Sequence, residues 1–279
     1  MRFFCWFLFC FTTTFALAAK PGAIVFDLDD TLFDTNFRTL EILHEIGATH
    51  VPQLSQLVTL EYPQVNFFCS VTCRNAGISD AGLIDEVCGN PGKGTLETAL
   101  WGQKFFSPDY LKYDHVISGA PTFVARAKQE TGASIIYLTG RSGKDNRKAT
   151  EAQLRYFGFP NPGEDGTVLI LKGPQDSPSD LVYKTVALDE LLQNYRIIGA
   201  LDDSKDNANM FRSKLASSIP VIRPNRNVAD RAGLSPGISQ ITTYYYNVAI
   251  DSSGNRTVVP NSDILEGFLA DAKAANAAP

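Results

Sequence analysis

The 279-residue chain has no basic surplus: 25 Lys and Arg stand against 30 Asp and Glu, a formal net charge of −5. It also has no Lys/Arg cluster with interleaved aromatics, so nucleic acid is not an expected partner. Histidine is scarce, and His44, His50 and His115 are scattered. His44-Glu45 is followed by Gly47 and Ala48 rather than a second His, which excludes a zincin site. A phosphate-binding loop is missing too. Gly92-Lys93 and Gly143-Lys144 are followed by Gly94 and Asp145, where Ser or Thr is required. Cysteine is limited to Cys5 and Cys10 near the start and to Cys69, Cys73 and Cys88. Those last three have no fourth ligand nearby, which argues against zinc.

What is present begins with a leader. Arg2 precedes an almost unbroken apolar run from Phe3 to Phe11, and Ala16-Leu17-Ala18-Ala19 supplies small residues before Lys20. This reads as a secretory signal peptide over residues 1–19, cleaved after Ala18 or Ala19, since Thr12-Thr13-Thr14 interrupts a run already short for a membrane span. Cleavage removes Arg2 as the only charged residue, taking the net charge from −5 to −6. The mature chain is then expected to be exported, periplasmic or secreted, without stable membrane association. In that setting one disulfide among Cys69, Cys73 and Cys88 is expected, with one thiol left over. Hydrophobic and charged contents of 44% and 20% are those of an ordinary globular protein.

The most informative stretch is Ala23-Ile-Val-Phe-Asp27-Leu-Asp29-Asp30-Thr31, a buried-strand pattern that empties into three carboxylates. Clustered carboxylates at a strand end repel one another and are costly to desolvate. A hard divalent cation such as Mg²⁺ relieves that repulsion. Ile135 to Leu138 is a second apolar run, ending in Thr139-Gly140-Arg141-Ser142, whose donors suit a phosphoryl oxygen. Ile197 to Leu201 is a third, closing in Asp202-Asp203, and Lys184 opens the helix-like segment before it. Singly, these read as solvated turns, a strand-to-helix cap and a surface lysine. Their order and shared place at strand ends argue for one site.

In that order the motifs resemble those of the haloacid dehalogenase (HAD) superfamily: Asp27-Leu28-Asp29-Asp30-Thr31, then Thr139, Lys184 and Asp202-Asp203. The resemblance covers roughly Ala23 to Ile222. It implies Asp27 as a nucleophile forming an aspartyl-phosphate, and Asp29 as acid toward the leaving group and base toward water. It further implies Mg²⁺ held by Asp27, Asp202 and the backbone carbonyl of Asp29, with Asp203 orienting the metal shell. Thr139, Gly140 and Lys184 would bind the phosphoryl oxygens. Because an acid stands two positions after the nucleophile, phosphate ester chemistry on a small phosphorylated substrate is implied rather than dehalogenation. Phosphotransfer, as in a mutase, and a silent binding protein of the same fold are the alternatives. Lys172 competes with Lys184 for the lysine role. Asn207, with Asp206 beside it, stands where many relatives carry a further acid.

The expected architecture is α/β, a doubly wound parallel sheet with an inserted helical cap. The core spans 20–36 and 119–235, the cap 37–118, and a C-terminal hairpin and tail 236–279. Within the cap, Phe37 to Ile46 reads as an amphipathic helix capped by Gly47, and Leu54 to Leu60 and Ala81 to Val87 as short helices. Helices over Thr122–Glu130, Asn146–Phe157, Lys184–Asn194 and Asn207–Leu215 alternate with the strands. Ile241–Ile250 and Arg256–Val259 read as a peripheral hairpin, with Tyr244-Tyr245-Tyr246 as strand packing, and Phe268–Pro279 as a helix that frays. Arg141 and Arg147 are candidates for an anionic substrate, with a solvated helix start as the plainer reading.

Overall fold

Six segments pair into one sheet, whose central strands are apolar runs buried on both faces and need neighbours on either side for their backbone groups. In the computed structural model, which describes residues 19–50, 52–66, 68–225, 230–241, 248–250, 256–258 and 262–277, the elements follow in order. They are β1 (Gly22–Phe26), β2 (Phe33–Asp34), α1 (Asn36–Thr49), α2 (Cys69–Asn75), α3 (Ala81–Cys88), α4 (Leu100–Phe105) and β3 (His115–Val116). Then come α5 (Ala120–Thr131), β4 (Ser134–Ser142), α6 (Gly143–Tyr156), β5 (Thr167–Lys172), α7 (Asp180–Asn194), β6 (Arg196–Leu201) and α8 (Lys205–Lys214). The chain continues with β7 (Val221–Pro224), β8 (Ile238–Ile241), β9 (Val248–Ile250), β10 (Arg256–Val258) and α9 (Ser262–Ala277). The expected leader, the turn at 251–254 and Tyr244-Tyr245-Tyr246 lie outside the described residues, apart from position 19. Among the described residues, no helix is long and apolar enough to cross a membrane.

The sheet runs β5-β4-β1-β6-β7-β8, and every pairing in it is parallel. Alternate strand residues face opposite sides, so the sheet is covered twice. Ile24, Phe26, Ile135 and Tyr137 pack with Phe123 of α5, Leu154 of α6 and Leu265 and Phe268 of α9. Val25, Ile136 and Leu138 pack with Tyr183 and Leu188 of α7 and Phe211 of α8. This is the doubly wound parallel fold.

The expected hairpin forms as β9 and β10, but the C-terminal segment as a whole is not peripheral. β8 is the sixth strand of the main sheet, and α9 inserts Leu265, Phe268 and Leu269 into the core. The helix starts at Ser262 rather than Phe268, and Asn276 near its end still donates to Thr131 O at 2.8 Å. Only β9 and β10 form the separate antiparallel ribbon.

Between β2 and β3 the chain builds a helical layer with its own core of Ile42, Leu43, Ile46, Leu57, Ile84, Val87 and Trp101. β2 and β3 pair antiparallel, so the chain enters and leaves this layer side by side. Cys69 and Cys73 lie one turn apart on α2 and both face Cys88 of α3. Cys69 pairs with Cys88, and Cys73 is the buried free thiol, 3.4 Å from Cys88 Sγ.

Two expectations are corrected here. The segment expected as a helix at Leu54–Leu60 is a shorter 3-10 helix, Ser55–Thr59. Gly47 does not cap α1; the helix runs on to Thr49, and Gly47 is a point of close approach. A Cβ at Gly47 would meet Leu54 O, Leu57 Cβ and Val58 N, each at 2.9 Å. Gly47→Ala therefore sets a backbone clash against the gain in helix propensity, and a net loss of about 1–2 kcal/mol is expected. Urea unfolding of the variant checks this, and an unchanged midpoint would refute the close approach.

Candidate active site

Parallel pairing sets the site. Phe26 of β1 is in register with Tyr137 of β4 and with Leu201 of β6, so Asp27, Thr139 and Asp202 emerge at the same edge of the sheet. Asp27 N donates to Leu201 O at 2.9 Å, which ties the first carboxylate to the last strand residue before Asp202. Carboxylate oxygens of Asp27, Asp202 and Asp203 all lie within 4.8 Å of one another. Lys184 Nζ, in the second turn of α7, donates to Asp27 Oδ1 at 2.8 Å and to Asp202 Oδ2 at 2.9 Å. The helix begins at Asp180, four residues earlier than the sequence suggested, with Ser179 as its cap. Lys172 points elsewhere and donates to Pro178 O at 3.1 Å.

The neighbouring donors converge on these carboxylates. Thr31 Oγ1 lies 3.4 Å from both Asp27 Oδ2 and Asp203 Oδ1 and accepts from Asp203 N at 2.9 Å. Ser204 N and Asn207 Nδ2 donate to Asp202 Oδ1 at 3.0 and 3.1 Å. Asp206 is exposed in the first turn of α8, whereas Asn207 is buried. Thr139 is fully buried near the end of β4, and its hydroxyl accepts from Arg141 N at 3.3 Å.

Burial of Asp27, with Lys184 attraction and Asp202 repulsion acting against each other, leaves its carboxyl pushed up to about 8. Burial raises Asp202, and burial with repulsion from Asp30, Asp27 and Asp202 raises Asp203 well above the usual carboxylate range. Lys184, although buried, is held firmly charged by Asp202 and Asp27. A lysine secured as a cation beside an Asp driven toward neutrality means that one ammonium does not balance the surrounding acids. Three oxygen donors with a shortage of positive charge fit a hard divalent cation.

Asp29 sits differently. Its Oδ1 accepts from Arg38 Nη2 of α1 at 2.9 Å and from Arg141 Nη2 of β4 at 2.6 Å. Asp114, fully buried just before β3, accepts from Arg38 Nε at 2.6 Å and from Arg141 Nη2 at 3.0 Å. Burial would raise Asp29, but Arg141 and Arg38 outweigh it and hold the carboxyl well below its usual range. Arg141 is thus neither a solvated helix start nor open to a substrate. Its Nη1 donates to Gln153 Oε1 at 2.8 Å and to Thr150 Oγ1 at 3.2 Å. Arg147 lies on the exposed face of α6, 3.4 Å from Glu151. Arg38 and Asp114 gave no signal in the sequence, being 76 residues apart. Asp180, 3.3 Å from Lys184 Nζ, was also missed, although its place one helical turn before the lysine was legible.

Residues 111–219 match the sequence profile of HAD superfamily, subfamily IIIB (acid phosphatase), a span that includes Thr139, Lys184, Asp202 and Asp203 but not Asp27. No curated protein matches significantly. A crystal structure from Lactobacillus delbrueckii subsp. bulgaricus, provisionally described as a phosphoglycolate phosphatase, aligns with a TM-score of 0.54 at 14% identity over 90% of this chain and 99% of that one. One from Clostridium difficile, provisionally described as a phosphatase, gives 0.50 at 12% over 80% and 95%. A chain of the Pnkp1/Rnl/Hen1 complex gives 0.41 at 18%, covering 75% of this chain and 47% of that one, so this chain spans about half its length. The first two likenesses establish the shared fold.

The Arg38–Asp29–Arg141–Asp114 cluster yields a stability prediction. Asp114→Ala leaves two buried guanidinium groups with one carboxylate, and a loss of about 3 kcal/mol is expected. Chemical denaturation measures it; a loss below about 1 kcal/mol would show that the cluster is solvated.

Proposed function

We propose that the chain is a hydrolase of the haloacid dehalogenase type that cleaves phosphomonoesters with Asp27 as nucleophile, a reading supported by the match of residues 111–219 to subfamily IIIB of that superfamily. The observation that carries this reading is the contact of Lys184 with both Asp27 and Asp202 at the edge where β1, β4 and β6 end. Lys184 holds the Asp27 carboxylate in place and presents positive charge to the incoming phosphoryl group. Attack by Asp27 splits the displacement into formation and hydrolysis of an acyl phosphate. Thr139 and the backbone at Gly140, beside Asp27 in the β1–β4 register, supply donors to the equatorial oxygens.

Asp29 protonates the leaving oxygen and later takes a proton from water. The ionised form held by Arg38 and Arg141 is the one needed for the second task. For the first, Asp29 must part from them, and Arg38 belongs to the helical layer. That layer serves as a cap that closes over the site, excludes water and selects the substrate.

Mg²⁺ is the cofactor in this reading, held by Asp27, Asp202 and the Asp29 carbonyl with Asp203 behind, and it supplies neutralising charge between nucleophile and phosphate. Export of the mature chain completes the proposal. The apolar leader and the Cys69–Cys88 disulfide, a bond that persists in oxidising compartments, support it.

A pH dependence follows from the acids. Asp27 is raised from 3.8 to about 8, so in metal-free protein its contribution to stability is present below about pH 4 and is lost as pH rises through about 8. Mg²⁺ is expected to abolish that decline and to release protons on binding, more at low pH than at high. Thermal melts across this range, with and without Mg²⁺, test both; identical pH profiles would refute them.

The reaction itself is tested with an aryl phosphate. Wild-type protein is expected to show Mg²⁺-dependent turnover, and Asp27→Asn to lose it by at least about a thousandfold while remaining folded. Undiminished turnover in that variant would remove Asp27 from the role of nucleophile.

A further inference from the structure

Lys184 has three ammonium protons and three carboxylates around it. Two of these, Asp27 and Asp202, are buried and lie at 2.8 and 2.9 Å. The third, Asp180, is farther away at 3.3 Å, and its side chain is 42% exposed. Asp180 is therefore the partner that Lys184 releases most cheaply. Its two oxygens have different surroundings. Oδ2 accepts from Asn207 Nδ2 at 2.8 Å, and the same amide reaches Asp202 Oδ1 at 3.1 Å, so Asn207 straps Asp180 to the carboxylates of the site. Oδ1 is buried without a hydrogen-bond partner, pressed against Gly140, where an added Cβ would collide with it. Gly140 follows Thr139 in the wall proposed to receive the phosphoryl group.

A carboxylate held in that wall and sharing its lysine opposes a phosphate dianion, since both need the same ammonium and repel each other. We propose that Asp180 is a positioning residue that competes with phosphate for Lys184 and so sets how tightly the site retains the inorganic phosphate it produces. The inference rests on the phosphatase reading and adds the means by which product leaves. In the empty site Asp180 completes the shell of Lys184. When a phosphoryl oxygen arrives it accepts a hydrogen bond from the third ammonium N–H, and Asp180 stays strapped by Asn207 as a nearby negative charge. Repulsion from that charge weakens the hold on the free dianion.

The test is binding of inorganic phosphate by calorimetry, with Mg²⁺ present, to wild type, Asp180→Asn and Asp180→Ser. Product inhibition of aryl phosphate hydrolysis is measured in parallel. Asp180→Asn keeps the size of the side chain and an acceptor for Asn207, so its fold is expected to survive. Phosphate should bind both variants about tenfold more tightly, with Ki and KM falling, kcat falling as release slows, and the gain shrinking at high salt. A merely structural role would loosen the site and raise Ki. Unchanged or weaker phosphate binding in both variants, with wild type active and binding phosphate, would overturn the inference alone. A wild type that neither turns over the ester nor binds phosphate would overturn the phosphatase reading, and this inference with it.

Discussion

The balance of charge around Lys184 is the constraint on which the rest of the site depends. Asp27, Asp202 and Asp203 are brought together by the parallel register of β1 and β6, and the buried ammonium of Lys184 contacts the first two of them. Nearly every neighbouring donor is spent on that deficit: Thr31, Ser204 and Asn207 each turn a hydrogen toward a carboxylate. Such donors stabilise anions but carry no full charge, and Asp27 and Asp203 remain raised even with them in place. The site is built to accept positive charge. That demand connects the sheet register to the proposed metal-assisted chemistry.

A second buried charge cluster stands beside it with the opposite property. Arg38 and Arg141 meet Asp29 and Asp114, two cations against two anions, and both guanidinium groups have several short contacts. The residue types resemble those of the first cluster, but the charges cancel. Burial of a balanced, fully bonded group gives a fixed arrangement, whereas burial of an unbalanced one gives reactivity. The balanced cluster is drawn from α1, the turn after β1, β4 and the segment before β3. It therefore pins the helical layer to the core at Asp29, the residue proposed to handle protons.

Much of the fold was legible because the core strands are continuous apolar runs. Ile135–Leu138 and Ile197–Leu201 announce parallel strands, and the acids or donors after them mark the edge where a site must lie. The C-terminal part was not legible for a related reason. β8 is a four-residue strand, Ile-Ser-Gln-Ile, with no long apolar run, and only its pairing with β7 reveals that it extends the sheet. Gly47 looked like a helix stop because a glycine after an apolar pattern usually is one. Here its lack of a side chain serves the approach of the Leu54–Val58 backbone, a contact no local pattern encodes. In the site, residues at strand ends were legible, while Arg38 and Asp114 act through partners far away in sequence. Arg141 was noticed but misjudged, since a guanidinium at a strand end looks the same whether it faces solvent or a buried carboxylate.

The turn after β1 explains how the two clusters are joined mechanically. Asp30 adopts φ 54°, a left-handed conformation costly by about 1 kcal/mol for a residue with a side chain. Its carboxylate offsets that cost by accepting from Thr35 N at 3.1 Å and Thr35 Oγ1 at 2.9 Å, and Asp34 accepts from Asn36 N at 3.0 Å. The chain from Asp27 to the first turn of α1 is thus a series of bonded turns with little slack. Arg38 lies in that first turn and grips Asp29 from the other side. A shift of α1 is therefore transmitted to Asp29 twice, through the backbone and through the guanidinium, while Asp27 stays anchored by its bond to Leu201 O. Asp27 belongs to the sheet and Asp29 to the joint, so in the proposed mechanism motion of the helical layer would alter proton transfer at Asp29 without disturbing the Asp27 carboxylate.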